Sequence, residues 1–259
     1  MAGFDVPADT YDRFMGRFSQ PLAPVFCDAV LPEGRLPASV LDVGCGPGAL
    51  LDELVRRPPH PHGVRRLAAI DPAASFVAAA AARFPDVDVR RGGAEELPFA
   101  DATFEASLAQ LVVHFMDDPA AGAAEMVRVT RPVGLVAACV WDHGGGRGPL
   151  SPFWSAVESL APGQAAAPST GSTRGDLQRL WEGAGLVGVQ EQEIRVRVGF
   201  DSFDRWWAPF TEAAGSARAF LDGVDDSTVE RLRSRLRADL GDGPFEIDSV
   251  AWCVSGTRD

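Results

Sequence analysis

A chain of 259 residues with a formal charge of −12 is long enough to bury about three quarters of its unfolded surface in one α/β domain. That charge repels nucleic acid and anionic membranes from any face without a basic patch. All 24 basic side chains are arginine, so a phosphate loop ending in Gly-Lys, a lysine Schiff base and a tyrosine–lysine reductase pair are excluded.

Taken in chain order, Tyr11, Phe14, Met15 and Phe18 recur at i, i+3, i+4 and i+7, which predicts an apolar face on an N-terminal helical cap over 9–31. Packing on a sheet and closing over a ligand are both open for that face. A strand is predicted over 39–44 and a helix over 48–57. His60 and His62 follow in "RPPHPHG", read as an exposed loop. Further strands at 67–71, 87–91 and 104–110 alternate with helices at 73–84, a short piece after 94, and 119–130. A fifth strand spans 134–142. Glycine, proline and serine then interrupt the pattern, giving an insertion over 143–175 before a helix at 176–184. Strands at 187–198 and 247–256 flank a second insertion, 200–246, which carries two predicted helices and the cluster "FDRWWAPF". The stretch "ERLRSRLRADL" reads as a solvated helix face. Strand–helix alternation predicts a mostly parallel sheet with helices on both faces, in a single domain spanning 1–259. Cys27, Cys45, Cys139 and Cys253 form no C-x-x-C pair, so neither a zinc site nor a disulfide framework is indicated and no metal is expected. With no charged-then-apolar leader and no apolar run of membrane-spanning length, a soluble cytoplasmic protein is expected.

The segment "LDVGCGPGALLDEL" joins the first strand to the first helix of the sheet. A strand, a glycine turn and a helix N-terminus direct backbone N–H groups and a positive dipole end toward the carboxyl edge, where a ligand is expected. "GCGPGA" matches the dinucleotide pattern G-x-G-x-x-G/A. Asp42, two positions ahead of Gly44, makes it D-x-G-x-G-x-G instead.

That pattern, followed in order by "AAIDPAASF", "GGAEELPF" and "FEASLAQLVVHFMDDPAAGAAEMVRVTRPVG", resembles the class I S-adenosylmethionine (SAM)-dependent methyltransferases over residues 40 to 141. The resemblance implies a seven-stranded, mostly parallel Rossmann-like sheet with capping insertions, and transfer of a methyl group from SAM to a small-molecule substrate. It implies that Asp71 accepts the ribose hydroxyls, and that Gly44, Cys45 and Gly46 bring the backbone to the methionine and ribose portion. Asp42 holds the turn or meets the amino group, Pro72 flanks the adenine, and Ala94 and Glu95 edge the ring. Gln110, at the end of the fourth strand, and Tyr11 and Arg17 of the N-terminal cap complete the expected cofactor set, with Arg17 toward the methionine carboxylate. Gly93 stands where relatives carry an acid, and Glu95 is the residue placed to compensate. "RPVG" replaces their commoner Arg-Pro-Gly-Gly turn.

Because the methyl group of SAM is already electrophilic, alignment of the acceptor, worth about 7 to 11 kcal/mol, outweighs a general base, worth roughly 3 to 5 kcal/mol. A base is therefore optional. His114 is the catalytic candidate, His143 stands second, and packing is the competing role for both. Trp141, Phe153, Trp154, Trp206, Trp207 and Phe210 are expected to converge on an apolar acceptor pocket. Strand four ends "LAQLVV" without the Asn/Asp-Pro-Pro-aromatic motif of DNA amino-methyltransferases. Two alternatives stay open: a nicotinamide-dependent oxidoreductase, and a SAM-binding protein without turnover.

Overall fold

Strand β1 (Ser39–Val43) is buried along its whole length, its polar Ser39 and Asp42 included, as a strand covered on both faces should be. The computed structural model describes residues 8–31, 36–58, 66–164, 169–212 and 215–259; His60 and His62 lie outside the described residues. Six further strands, numbered in chain order, complete the sheet: β2 (Arg66–Asp71), β3 (Asp88–Arg91), β4 (Phe104–Gln110), β5 (Thr130–Trp141), β6 (Leu186–Phe200) and β7 (Phe245–Arg258). The sheet order is β3-β2-β1-β4-β5-β7-β6. The first five are parallel, and β7 runs antiparallel to both β5 and β6. This is the expected seven-stranded, mostly parallel Rossmann-like sheet.

Before the sheet come α1 (Ala8–Tyr11), a π-helical segment (Asp12–Gly16) and α2 (Arg17–Val30). Helices α3 (Ala49–Arg56), α4 (Ala74–Arg83) and α5 (Pro119–Val129) make the crossovers, while α6 (Ser151–Leu160) and α7 (Asp176–Gly183) precede β6. On one face, Phe18, Leu22 and Phe26 of α2 and Leu50 and Leu54 of α3 pack against Val40, Leu108 and Cys139. On the other, Met126 and Val129 of α5 and Trp181 of α7 pack against Leu41, Ile70 and Val136. The Trp181 indole N–H is satisfied by the Val136 carbonyl at 2.9 Å. The chain builds outward from β1 to β3 and then returns to β4, so strand order reverses beside β1. Such a reversal opens a crevice outside the carboxyl ends of the strands.

Four expectations change. The short helix expected after 94 is a turn. Its backbone is satisfied by side chains of α5: the Leu97 N–H donates to Glu125 (2.8 Å), and the Arg128 guanidinium donates to the Leu97 and Phe99 carbonyls (3.0 and 2.9 Å). The N-terminal helix is interrupted by the π-helical segment, where a Cβ on Gly16 would stand 2.9 Å from Asp12 Oδ1; glycine leaves room for the Asp12 side chain. The second insertion holds three helices, α8 (Phe203–Glu212), α9 (Ser216–Asp222) and α10 (Asp226–Leu240). Strand β5 begins at Thr130 and passes through Val133 at φ 62°, a left-handed conformation that a β-branched residue adopts only under strain. The arginines of α10 are a solvated face, as expected: Arg233 and Arg237 pair with Asp204, and Arg235 with Asp239. Among the described residues no helix is long and apolar enough to cross a membrane.

Candidate active site

Gly44 follows β1 at φ 69°, and a Cβ there would sit 2.4 Å from Val112 Cγ2. Any side chain would therefore push the wall of β4's exit away from the turn. Gly46, at φ 52°, has no atom within 4 Å of its Cβ position, so its glycine answers to backbone conformation and leaves open space. The donors of this turn are not free for a ligand, contrary to expectation. The N–H groups of Gly44 and Cys45 both donate to the Ile70 carbonyl (2.8 and 3.0 Å), that of Gly46 to Asp71 Oδ2 (2.9 Å) and that of Gly48 to the Cys45 carbonyl (3.0 Å). Buried backbone donors take the nearest acceptors, and the end of β2 supplies them.

Asp71 thus has a structural duty as well as a place in the site. Its Oδ1 accepts the Ala73 N–H at 2.9 Å. Burial raises its pKa, while the N–H groups of Ala73 and Gly46 draw it back down.

A cavity of about 410 Å³ opens outside β1, β2 and β4, within the size range of small-molecule sites. Ten of the expected cofactor residues line it: Asp42, Gly44, Cys45 and Gly46 from β1 and its turn; Asp71 and Pro72 from β2; Ala94 and Glu95; Gln110; and Tyr11. Asp42 is 1 % exposed, and neither carboxyl oxygen has a partner. Burial, with the charge of Asp71 added, pushes its pKa well above the usual carboxylate range. Gln110 donates through Nε2 to the Ser19 carbonyl at 2.9 Å, which leaves its buried Oε1 without a partner. Tyr11 leans from α1 onto Phe76 of α4, ring centroids 5.3 Å apart, and closes the cavity on the helix side. Burial raises its pKa to about 12, the charges of Asp12 and Asp71 add to this, and the Ser19 hydroxyl opposes it. Glu95 Oε1 accepts the Asp117 N–H at 2.9 Å. Its other oxygen lies 3.0 Å from the Cβ position of Gly93, in the space an acid at 93 would claim.

Three carboxyl groups and one guanidinium line this cavity, and that guanidinium, Arg91, donates to the Pro72 carbonyl at 3.1 Å. The balance favours a cation over the pyrophosphate of a nicotinamide cofactor, which would also find the glycine-turn donors already engaged. SAM carries an ammonium and a sulfonium, and unpartnered Asp42 is the group that would hold such a charge. The residues fit SAM.

Two expected residues stand elsewhere. Arg17 is exposed, with its guanidinium 5.5 Å from the ring centroid of Phe200, and does not line the cavity. It follows the π-helical segment, which rotates it past the face that carries Tyr11. His114 sits in the turn Val113–Phe115, its ring 3.9 Å from that of Phe115 and 5.9 Å from that of His143, and it too is absent from the lining. Burial, helped by His143, lowers its pKa to about 3, so it stays neutral at physiological pH and is a feeble base. The aromatic cluster also departs from expectation. Phe153, Trp206, Trp207 and Phe210 converge, but on one another: Phe153 and Phe210 stack at 4.9 Å, and Phe14 meets Phe210 at 5.1 Å. They fill space instead of lining it.

Ser19, Phe76, Leu111, Phe115 and Met116 line the cavity without having been singled out from sequence. Leu111 carried no sequence signal, yet it sits at φ 63°, 7 % exposed. Left-handed backbone at a non-glycine residue is costly and concentrates at functional sites.

Residues 41–138 match the family model described as a methyltransferase domain. The chain carries a class I SAM-dependent methyltransferase domain. Over 152 residues it is 30 % identical to a probable S-adenosylmethionine-dependent methyltransferase of Mycolicibacterium smegmatis, covering 57 % of each chain. Over 111 residues it is 31 % identical to the demethylmenaquinone methyltransferase of Renibacterium salmoninarum, covering 42 % of this chain and 44 % of that one. The chain thus spans about half the length of these curated relatives. In fold it is similar to the YcgJ protein of Bacillus subtilis (TM-score 0.57, 16 % identity, 93 % of this chain and 97 % of that one). It is also similar in fold to a Haemonchus contortus phosphoethanolamine N-methyltransferase, solved with S-adenosylhomocysteine (TM-score 0.55, 14 % identity, 100 % of this chain and 61 % of that one).

Proposed function

We propose that this protein transfers the methyl group of SAM to a small, mostly apolar organic acceptor. The observation that carries the reading is Asp42: a buried carboxyl with no partner, in a cavity at the carboxyl ends of β1 and β4, is stabilised by a cationic ligand and by little else. In this reading Asp42 and Gln110 hold the amino-acid end, Asp71 the ribose, and Pro72, Ala94 and Glu95 the adenine. When bound, SAM would supply an activated methyl carbon to the acceptor's lone pair, with the acceptor's proton passing to water. Tyr11 and Phe76 keep solvent from the helix side of the cavity. With His114 neutral and outside the lining, orientation supplies the rate. The relative named for demethylmenaquinone supports an acceptor of apolar, ring-bearing character. The charge of −12 supports a partner set without nucleic acid or membrane, and four buried free cysteines support a reducing cytoplasm.

Calorimetry with SAM and S-adenosylhomocysteine, followed by mass spectrometry of a phenol, quinol and arylamine panel incubated with SAM, tests the proposal. Micromolar binding and a methyl-sized mass gain on a panel member are expected. Binding without any turnover across the panel would instead mark a SAM-binding protein, and no binding of either nucleoside would sink the reading.

A further inference from the structure

Strand β6 ends the sheet order, and among the described residues it pairs with β7 alone. The hydrogen bonds of the neighbouring strands fix which of its backbone groups face outward. Asp142 donates to the Val250 carbonyl, so Val250 turns its backbone toward β5. Arg195, opposite Val250 on β6, therefore turns its own N–H and C=O away from β7. Bonding alternates along an antiparallel pair, so Glu191, Glu193 and Arg197 point outward with it, whereas Ile194 bonds inward to Ala251. Among the described residues no backbone group of another element bonds to this outer row. Sheet edges are ordinarily blunted by short strands, proline or bulges. Strand β6 is 15 residues long, contains no proline and keeps one register from Gln190 to Phe200.

The side chains decide what can pair with that edge. In "EQEIRVR", residues 191 to 197, the charges reverse about Ile194. Ile194 and Val196 face the core on the α2 side, and side chains alternate along a strand, so the four charged residues share the opposite face. The Arg195 and Arg197 side chains are 67 % and 61 % exposed. Contacts within the chain hold the row in place: Arg195 meets Glu193 at 2.5 Å, Arg147 meets Glu193 at 2.7 Å, and Arg197 meets Asp248 at 2.6 Å. An antiparallel strand of the same sequence, related by a two-fold axis through Ile194, sets Glu193 opposite Arg195 and Glu191 opposite Arg197. Those are the outward-facing residues, so each opposed pair exchanges both backbone bonds. Moving the axis to Gln192, Glu193, Arg195 or Val196 sets like charges opposite, which is destabilising.

We propose that the outer edge of β6 docks a second copy of this chain, in a two-fold pairing centred on Ile194 that joins the two sheets edge to edge. The contact is self-complementary and closes at two copies. A single strand pair buries little area, so the dimer is weak and depends on concentration. Charge sets its register, so salt loosens it.

Analytical ultracentrifugation of the full chain, from micromolar to millimolar concentration, should show a monomer–dimer equilibrium that weakens as salt rises. Arg195→Glu sets acids opposite each other and should weaken the dimer at least tenfold. Mixing that variant with Glu193→Arg, which repels its own copies in the same way, makes every opposed pair complementary and should restore dimers of one chain of each kind. Arg195→Pro removes only an outward N–H, which an edge strand tolerates, and should also weaken the dimer at least tenfold while urea unfolding shows a folded chain. If the variants do not fold, hydrogen exchange of the parent decides: the Glu193 and Arg195 amides should exchange more slowly as concentration rises. A chain that stays monomeric to millimolar concentration, a folded Arg195→Glu protein that dimerises as the parent does, or Glu193 and Arg195 amides indifferent to concentration overturns the proposal.

Discussion

The cofactor cavity and the aromatic core beneath α8 stand at the same edge of the sheet, and they are built on opposite rules. Around the cavity the wall residues are small or bent backward: Gly44, Gly46 and Gly93, with Leu111 strained at φ 63°. Carboxyl oxygens of Asp42 and the amide oxygen of Gln110 are left unpaired. Under α8, Trp206, Trp207 and Phe210 are 2 %, 5 % and 1 % exposed; Trp207 stacks on Phe203, Phe210 stacks on Phe153, and Trp206 lies tilted against Phe203 and Phe210. One region holds unpaired buried oxygen at its wall, and the other is filled by ring packed against ring. Density of aromatic residues therefore says little about where a ligand sits; unpaired buried oxygen says more.

The largest expected effect comes from emptying the aromatic region. Phe210→Ala should cost about 3 to 5 kcal/mol of stability, the usual penalty for a truncated core phenylalanine, while SAM affinity of the folded protein stays within twofold. Urea melts and calorimetry check both halves, and a mutant that melts normally but loses SAM would erase the distinction between the regions.

On the cavity side, Asp71→Asn should weaken SAM by about 2 kcal/mol, close to thirtyfold. Because Asp71 also accepts the N–H groups of Gly46 and Ala73, its thermal unfolding should shift as well, by less than that of Phe210→Ala.

Asp42→Asn separates function from stability most directly. A carboxyl whose folded pKa is raised above the ordinary 3.8 contributes stability that is present below that value and lost as pH rises through the folded pKa. The ligand-free asparagine variant should therefore become the more stable protein as pH rises toward neutrality, by about 1 to 3 kcal/mol. It should bind SAM at least tenfold more weakly, and the parent's SAM affinity should climb over the same pH window. Melting curves and calorimetry from acid to neutral pH test this. A variant that loses stability at every pH would show Asp42 to be a partner in the fold.

The smallest effect contrasts two strained residues. Val133, at φ 62° and 83 % exposed, strains the chain without lining the cofactor cavity, so Val133→Gly should raise stability by about 1 kcal/mol and leave SAM binding untouched. A change in SAM affinity there would mean that strain in β5 reaches the site.

Much of this was legible in the residues themselves. Short, mostly apolar runs such as that of β1 announce strands buried on both faces, and D-x-G-x-G-x-G followed by an acid at the end of the next strand announces the cofactor edge, because local backbone conformation and burial depend mostly on neighbours in the chain. Even there the limits were local: β5 starts earlier than its pattern, because the left-handed Val133 lets pairing begin at Thr130, and the segment after 94 forgoes helix because α5 supplies its partners. What only tertiary structure decided depends on groups distant in sequence. Whether the glycine turn offers its N–H groups was settled by the Ile70 carbonyl and Asp71, and whether Gln110 keeps a free oxygen was settled by Ser19, 91 residues away. Arg17 and His114 left the site, and the tryptophans became core, because direction and packing follow from how elements meet. Composition along the chain holds no record of that meeting.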